Sequence, residues 1–379
     1  MGQDSNPARG FVTLDERRLE IGAQVENPPH STIGLMKTWA ASVLLVAGLA
    51  IAQSSQSLKD AQSALQRRDY ATALRIVRPL AQGGDRTAQS MLGSMYGLGY
   101  GVPRSDVEAV KWFRKAAEQG LAVAQGNLGI AYMSGQGVKK DYTEALNWLR
   151  KAADQNDPNT QANLGSMYAR GEGVPKDTAQ AVMWYRKAAD QGVAGAQFSL
   201  GIAYANGVGV AKNEAEAVNW FRKAADQGLP EAQANLGLAY SIGMGVAKNP
   251  AEAVRWASKA AQQGISQGQE TLRGLAEEGY APAQNELGLT YEKGWGSLKI
   301  DAEAVNWYRR AAEQKFAAAQ FNLGRMYAAG KGTRQSDVEA YKWFALAAAQ
   351  GHLDARKQMA EVAKRLTPEQ IAEAKQASR

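Results

Sequence analysis

The side chains that most often carry enzymatic chemistry are scarce in this 379-residue chain, which has no cysteine and only two histidines, His30 and His352. Without cysteine there is no thiolate nucleophile, no disulfide framework and no zinc site built from His and Cys. A serine–histidine–aspartate arrangement would have to use His352, which follows Gly351 and reads as a polar residue at a helix end. Ser-x-x-Lys occurs nowhere. Gly-x-Gly pairs recur, but neither G-x-G-x-x-G nor Gly-Lys-Ser/Thr goes with them, so phosphate loops are not indicated. Carboxylates are plentiful, yet no spacing singles out an acid–base pair. The expectation is a protein that is not an enzyme and takes no cofactor or metal.

What the spacing does single out is recognition chemistry. Asn127, Asn163, Asn235 and Asn322 each stand just before a Leu-Gly pair, with Ser199 and Glu286 at equivalent places. An amide donates and accepts at once, as the backbone of an extended peptide requires. The same Asn could instead bond a neighbouring helix, and both readings stand. A Gln three residues before the Leu, from Gln89 to Gln320, recurs in every copy and reads as structural. Trp295, in a Gly-Trp-Gly loop, reads as an exposed anchor or as a ring folded back on its surroundings.

These residues are positioned by a repeat. Leu92-Gly93, Leu128-Gly129, Leu164-Gly165, Leu200-Gly201 and Leu236-Gly237 recur every 36 residues, and each Leu is followed 20 residues later by Trp112, Trp148, Trp184, Trp220 or Trp256. Leu287 with Trp307 and Leu323 with Trp343 keep the same offset. Self-similarity at this period implies a stacked array of helix pairs in which no pair buries its apolar stripe alone. Ala124, Leu128, Ala131 and Tyr132 lie on one face of the first helix, helix A. The pair Gly135/Gly137 ends it, the first glycine in a left-handed cap. Helix B opens with cap signals such as Ser105-x-x-Glu108 and Asp141-x-x-Glu144. If the Trp is interior, Trp184→Ala should cost about 3–5 kcal/mol.

The run Ala196-Gln197 to Tyr204, then Gly207 to Val210, then Glu216 to Gly228, resembles the Sel1-like repeat, a relative of the tetratricopeptide repeat. The resemblance spans about residues 85–351 and recurs seven times in register. It implies an all-α, right-handed superhelical solenoid of antiparallel helix pairs, with helix A lining a concave groove, and a binding or scaffolding role. Some cysteine-rich Sel1-like proteins are linked to penicillin binding or hydrolysis, so a hydrolase is a distant alternative. This chain departs from those members in lacking every cysteine.

Taken in order, residues 1–35 are polar and irregular. Met36-Lys37-Thr38-Trp39, the apolar run from Ala40 and the ending Ala50-Ile51-Ala52 read as a secretory signal peptide over 36–52, with Met36 as the true start. A cytoplasmic tail before a short anchor is the alternative, although the apolar run is shorter than the roughly 20 residues a span needs. Residues 53–84 read as a capping helix pair, 85–264 as five repeats and 265–279 as a truncated repeat with one helix near 267–278. Two more repeats cover 280–351, and capping helices cover 352–379. The protein is expected in the periplasm or secreted, with no stable membrane span after cleavage.

The chain carries a net charge of +7. Much of it follows the Trp in helix B, at Arg114-Lys115, Arg150-Lys151, Arg186-Lys187, Arg222-Lys223 and Arg309-Arg310. Stacked, these would form a positive band suited to an anionic polysaccharide or an acidic partner. Each Arg also has an acid four residues on, such as Arg114 with Glu118, so the simpler expectation is a solvated face of helical ion pairs. No nucleic-acid motif is present. A protein partner bound on the concave face is the first expectation, with an accessory role toward an anionic polysaccharide as the alternative.

Overall fold

The computed structural model describes residues 56–376, and over these the chain is all-α, with nineteen helices and no strand. The segment 36–52 and everything before it lie outside the described residues. Two compact units divide the described residues: those up to Ala196 with Asn206–Lys212, and Gln197–Ala205 with those from Asn213 onward. The first holds α1 (Gln56–Gln66) and α2 (Tyr70–Gln82), then the pairs α3 (Arg86–Leu98) with α4 (Asp106–Glu118), α5 (Ala122–Ser134) with α6 (Tyr142–Ala153) and α7 (Pro158–Arg170) with α8 (Thr178–Asp190). Helix α9 (Ala194–Asn206) runs across the division. The second holds α10 (Glu214–Asp226), α11 (Pro230–Ile242) with α12 (Pro250–Gln262), the single α13 (Ser266–Glu277), α14 (Ala281–Lys293) with α15 (Asp301–Glu313), α16 (Ala317–Ala329) with α17 (Asp337–Ala349), then α18 (Leu353–Ala363) and α19 (Pro368–Gln376).

The glycine of Leu-Gly is explained by what crosses it. A Cβ on Gly93 would lie 2.8 Å from the Phe113 ring, and one on Gly324 would lie 2.7 Å from the Phe344 ring. Helix B therefore lays the side chain that follows its Trp across the bare backbone of helix A. Phe113, Phe221, Tyr308 and Phe344 at this place are fully buried. The Trp itself is less interior than its regularity suggests. Trp220, Trp256 and Trp307 are buried, but Trp112, Trp148, Trp184 and Trp343 are only half-buried.

The loop glycines divide the work. Gly135 adopts φ 77° and its N–H reaches the Ala131 carbonyl at 2.8 Å, a left-handed cap. A Cβ on Gly137 would run into the Asp106 carbonyl, so the second glycine lets the loop rest on the first turn of the preceding helix B. At the start of helix B, Ser105 Oγ accepts the Glu108 N–H at 3.2 Å. The reciprocal half of the capping box does not form there, because the Ser105 N–H donates at 2.9 Å to the carbonyl of Tyr96 in helix A. Both halves form at Thr367 and Gln370, at 2.9 and 3.3 Å.

The repeated Gln ties three helices together. Gln125 Nε2 donates to the Ala117 carbonyl of the preceding helix B at 3.2 Å, and its Oε1 accepts Gln155 Nε2 from the following helix B at 2.8 Å. The same accepting bond joins Gln89 to Gln119, Gln161 to Gln191, Gln197 to Gln227, Gln233 to Gln263, Gln284 to Gln314 and Gln320 to Gln350. A buried amide satisfied on both sides holds register without the cost of an orphan group.

At the register break, α13 does the work of both helices of a repeat. Toward α12 it packs as a helix A, so closely that a Cβ on Gly268 would meet the Ala257 carbonyl at 2.5 Å. Toward α14 it acts as a helix B: Arg273 donates to the Tyr291 hydroxyl at 2.6 Å, and Gln284 donates to the Ala276 carbonyl at 3.0 Å. The last two helices close the array on α17. Ala355, Val362 and Ala374 join the Phe344 core, and Arg365 grips Asp337 with two bonds of 2.9 and 2.6 Å.

Candidate functional site

The repeated cations are largely engaged with the fold. Arg114 donates to the hydroxyl of Tyr132, in the helix A that follows, at 2.7 Å. Arg150 does the same to Tyr168, Arg222 to Tyr240 and Arg309 to Tyr327. The expected i, i+4 partner is thus replaced by a tyrosine 18 residues on, which links one repeat to the next. The neighbouring cation lies over the Trp face three residues back, with Lys115 at 4.3 Å from Trp112, Lys151 at 4.2 Å from Trp148 and Arg310 at 4.5 Å from Trp307.

The Asn positions are mostly interior. Asn127 is buried and its Nδ2 has no hydrogen-bond partner. Asn163 is half-buried. Asn235 is buried and returns its Nδ2 to the Glu231 carbonyl of its own helix at 2.8 Å. Trp295 is half-buried, its N–H bonded to the Thr290 carbonyl, while Leu298 in the same loop is 81% exposed. His352 caps α18, its Nδ1 accepting the Ala355 N–H at 3.3 Å, and its ring stacks on Phe321 at 4.5 Å.

Asn322 alone among the five candidates enters an extended polar network, and two of its members, Glu292 and Arg325, break the repeat. Tyr308 Oη of α15 donates to Glu292 Oε2 of α14 at 2.7 Å, and Arg325 Nη2 of α16 donates to Glu292 Oε1 at 2.9 Å. Arg325 Nη1 also donates to Asn322 Oδ1 at 3.0 Å. Asn322 Nδ2 donates to Asn285 Oδ1 at 2.9 Å, and Asn285 Nδ2 to Glu286 Oε1 at 3.2 Å. At the place of Glu292 the other repeats carry Gly97, Met133, Ala169, Ala205, Ser241 and Ala328; at the place of Arg325 they carry Ser94, Ile130, Ser166, Ile202, Leu238 and Leu289. An acid and a base have thus entered together at two facing positions. That pairing of departures is the signal in the sequence that would have found the site.

The charges respond accordingly. Burial works to raise the Glu292 carboxyl, but the Tyr308 hydroxyl and the Arg325 guanidinium outweigh it and hold the group below its ordinary value. Burial and the adjoining Glu292 carboxylate push the Tyr308 hydroxyl far up. Burial raises the Glu286 carboxyl, only partly offset by hydrogen bonds from Ser258 and Asn285. Arg325 keeps 37% of its side chain exposed and opens onto a cleft of about 690 Å³ between α16, α17 and α18. The arrangement can hold an anionic or hydrogen-bonding ligand. Among the described residues no group of three or more His, Cys, Asp or Glu is arranged to hold a metal ion.

Stacked helix pairs locked by a repeated amide ladder define an all-α repeat solenoid. The Sel1 repeat model matches residues 87–121, 122–157, 158–193, 194–229, 230–265, 281–316 and 317–352. The chain belongs to the Sel1-repeat family, whose members generally mediate protein–protein interaction and are typically non-catalytic scaffolds. Among solved structures, a Sel1 repeat protein from Oxalobacter formigenes is similar at 29% identity and TM-score 0.53, covering 68% of this chain and 97% of that one. A protective antigen of uropathogenic Escherichia coli is 30% identical, over 82% of this chain and 86% of that chain, with TM-score 0.47. Comparison with curated proteins found no match.

Proposed function

We propose that this protein is a non-catalytic adaptor or regulator of the bacterial cell envelope that binds a protein partner along its helix A face. The observation that carries this reading is the surface position two residues after the repeated Leu. In the second unit Ile202, Leu238, Leu289 and Arg325 are half-exposed there, and in the first Ile130 and Ser166 are, whereas Ser94 of the first repeat is buried. In the second unit such a row, apolar from Ile202 through Leu289 and cationic at Arg325, suits a protein surface better than a sugar polymer. The engagement of Arg with Tyr, and of Lys with Trp, weighs against the anionic-polysaccharide alternative. Within this reading Asn163 and Trp295 offer surface directly, while Asn127, Asn235 and Asn322 shape the face from beneath.

The envelope assignment rests on the signal-like segment 36–52, and among the described residues no helix is long and apolar enough to cross a membrane. Peptide mapping of protein recovered from the periplasmic fraction should find nothing before residue 53; peptides preceding Met36 would contradict export by that segment. The binding claim is tested by affinity capture from envelope extract, comparing wild type with an Ile130→Lys/Leu238→Lys variant of matching thermal melt. A protein enriched by wild type and lost from the variant supports the reading. Equal recovery by both, or recovery of none, overturns it.

A further inference from the structure

The cleft at the end of the helix A row has a definite chemistry. Its rim carries Lys293, Arg325, Lys331 and Arg365, and its floor is set by Phe321 against Phe344. Two carboxylates answer these four cations. Glu292 is buried behind Arg325 and lies 3.7 Å from Lys293, and Asp337 is taken by Arg365. The Lys331 ammonium is exposed and has no side-chain partner. Glu361, whose charge also reaches Arg365, is engaged by Lys364, and the rim keeps an excess of positive charge around an opening that also presents an aromatic ring. Opposite charge is drawn to such a concavity, and the low-dielectric wall strengthens the attraction. His352 stacks on Phe321 and Arg325 lies 6.0 Å over its ring, so the half-buried ring offers the cleft its remaining edge, which a bare phosphate or a sugar acid would leave wet.

Resting on the adaptor reading above, we propose that this cleft binds an acidic peptide segment in which a carboxylate side chain neighbours an apolar one. The carboxylate meets Arg325 and Lys331, and the apolar side chain covers Phe321. Arg325 is oriented for this by Glu292 and Asn322, which occupy other edges of its guanidinium and hold the side chain across the cleft mouth. The same arrangement makes the network between α14 and α16 a support for the site, since it fixes a cation at a position where the other repeats carry none.

The test uses fluorescence anisotropy on the mature chain with a labelled hexapeptide that alternates glutamate and leucine. Binding should weaken about tenfold or more in Lys293→Glu/Lys331→Glu, and several-fold between about 50 and 300 mM salt. Lys293→Glu also sets a second carboxylate beside Glu292, so Lys331→Ala, at an exposed rim position, is the variant that should melt like wild type. A hexapeptide with lysine in place of glutamate should not bind, and a uronic-acid polymer at equal carboxylate concentration should not displace the acidic probe. No binding, binding unchanged in the variants, or displacement by the uronate overturns the proposal. If the variant still captures the same envelope protein as wild type, the adaptor reading stands and this proposal alone falls.

Discussion

Arg325 on α16 reaches Glu292 on α14 across 2.9 Å, joining two helices A at facing positions where the other repeats carry small or apolar residues in place of the acid and the base. With Tyr308 closing on the same carboxylate, the three side chains make a local polar lock inside an otherwise alanine- and leucine-lined stack. The lock fixes the orientation of a cation at a cleft, which is the feature a binding surface needs and a purely structural repeat does not.

The pH dependence of stability should separate Glu292 from Glu286. Glu292 is held below its ordinary value, so its contribution is present above about pH 4.3 and is lost as pH falls through the lowered value. Glu292→Gln should cost about 1–3 kcal/mol at pH 7, less than a fully enclosed pair because Arg325 can rehydrate, and the difference should shrink in acid. Glu286 is raised, so its protonated form is favoured by folding; that contribution is full below about pH 4.3 and is lost as pH rises through the raised value. Glu286→Gln should therefore stabilise at pH 7 and make no difference near pH 4. Denaturant melts at both pH values check the pair, and a parallel response of the two variants would contradict the assignment.

Gly324→Ala tests the crossing of helix B over helix A. In an exposed helix this change gains roughly 1 kcal/mol. Here the new methyl would meet the Phe344 ring, and a loss of about 1–3 kcal/mol is expected. Pairing it with Phe344→Leu should recover part of the loss. A single variant that melts above wild type would show that the ring does not lie over the glycine.

The sequence carried the fold class, the seven repeats and the positions of most turns, because period, glycine pairs and cap residues are local signals. It also pointed to Gln as structural, and the ladder from Gln89 to Gln350 bears that role. Other features were not legible because they depend on which neighbour a side chain reaches. Arg114 has an acid four residues on, yet it turns to Tyr132 in the next helix. The N-cap amide of Ser105 is taken by the Tyr96 carbonyl, which leaves no role for the Glu108 side chain in a full capping box. Regular Trp spacing suggested interior anchors, whereas Phe113, Leu149 and Phe344 are buried behind a Trp that is only half-buried. The Glu292–Arg325 pair is visible in one dimension only as two separate departures from the repeat.

That reassignment changes an energetic expectation. Trp184 is half-buried with a lysine over its ring at 4.2 Å, so Trp184→Ala should cost about 2–3 kcal/mol. Phe344→Ala, which empties a fully enclosed site, should cost about 3–5 kcal/mol. Thermal melts of the two variants should rank in that order, and the reverse order would return the Trp to the role of principal anchor.

Removing one amide of the ladder should be felt on both sides. Gln320→Ala leaves the Gln350 side chain and the Ala312 carbonyl without their partner, with an expected loss of about 1–3 kcal/mol. A change within about 0.5 kcal/mol would mean that water replaces the amide at no cost.

The most direct test of partner binding along helix A is site-specific photo-crosslinking in cells producing the full chain. The crosslinking side chain is placed in turn at Ile130, Leu238 and Arg325 on helices A, and at Lys111 on the exposed side of helix B. The account predicts one common protein adduct from the three helix A positions and none from Lys111. An adduct at Lys111 that the helix A positions do not share would contradict it.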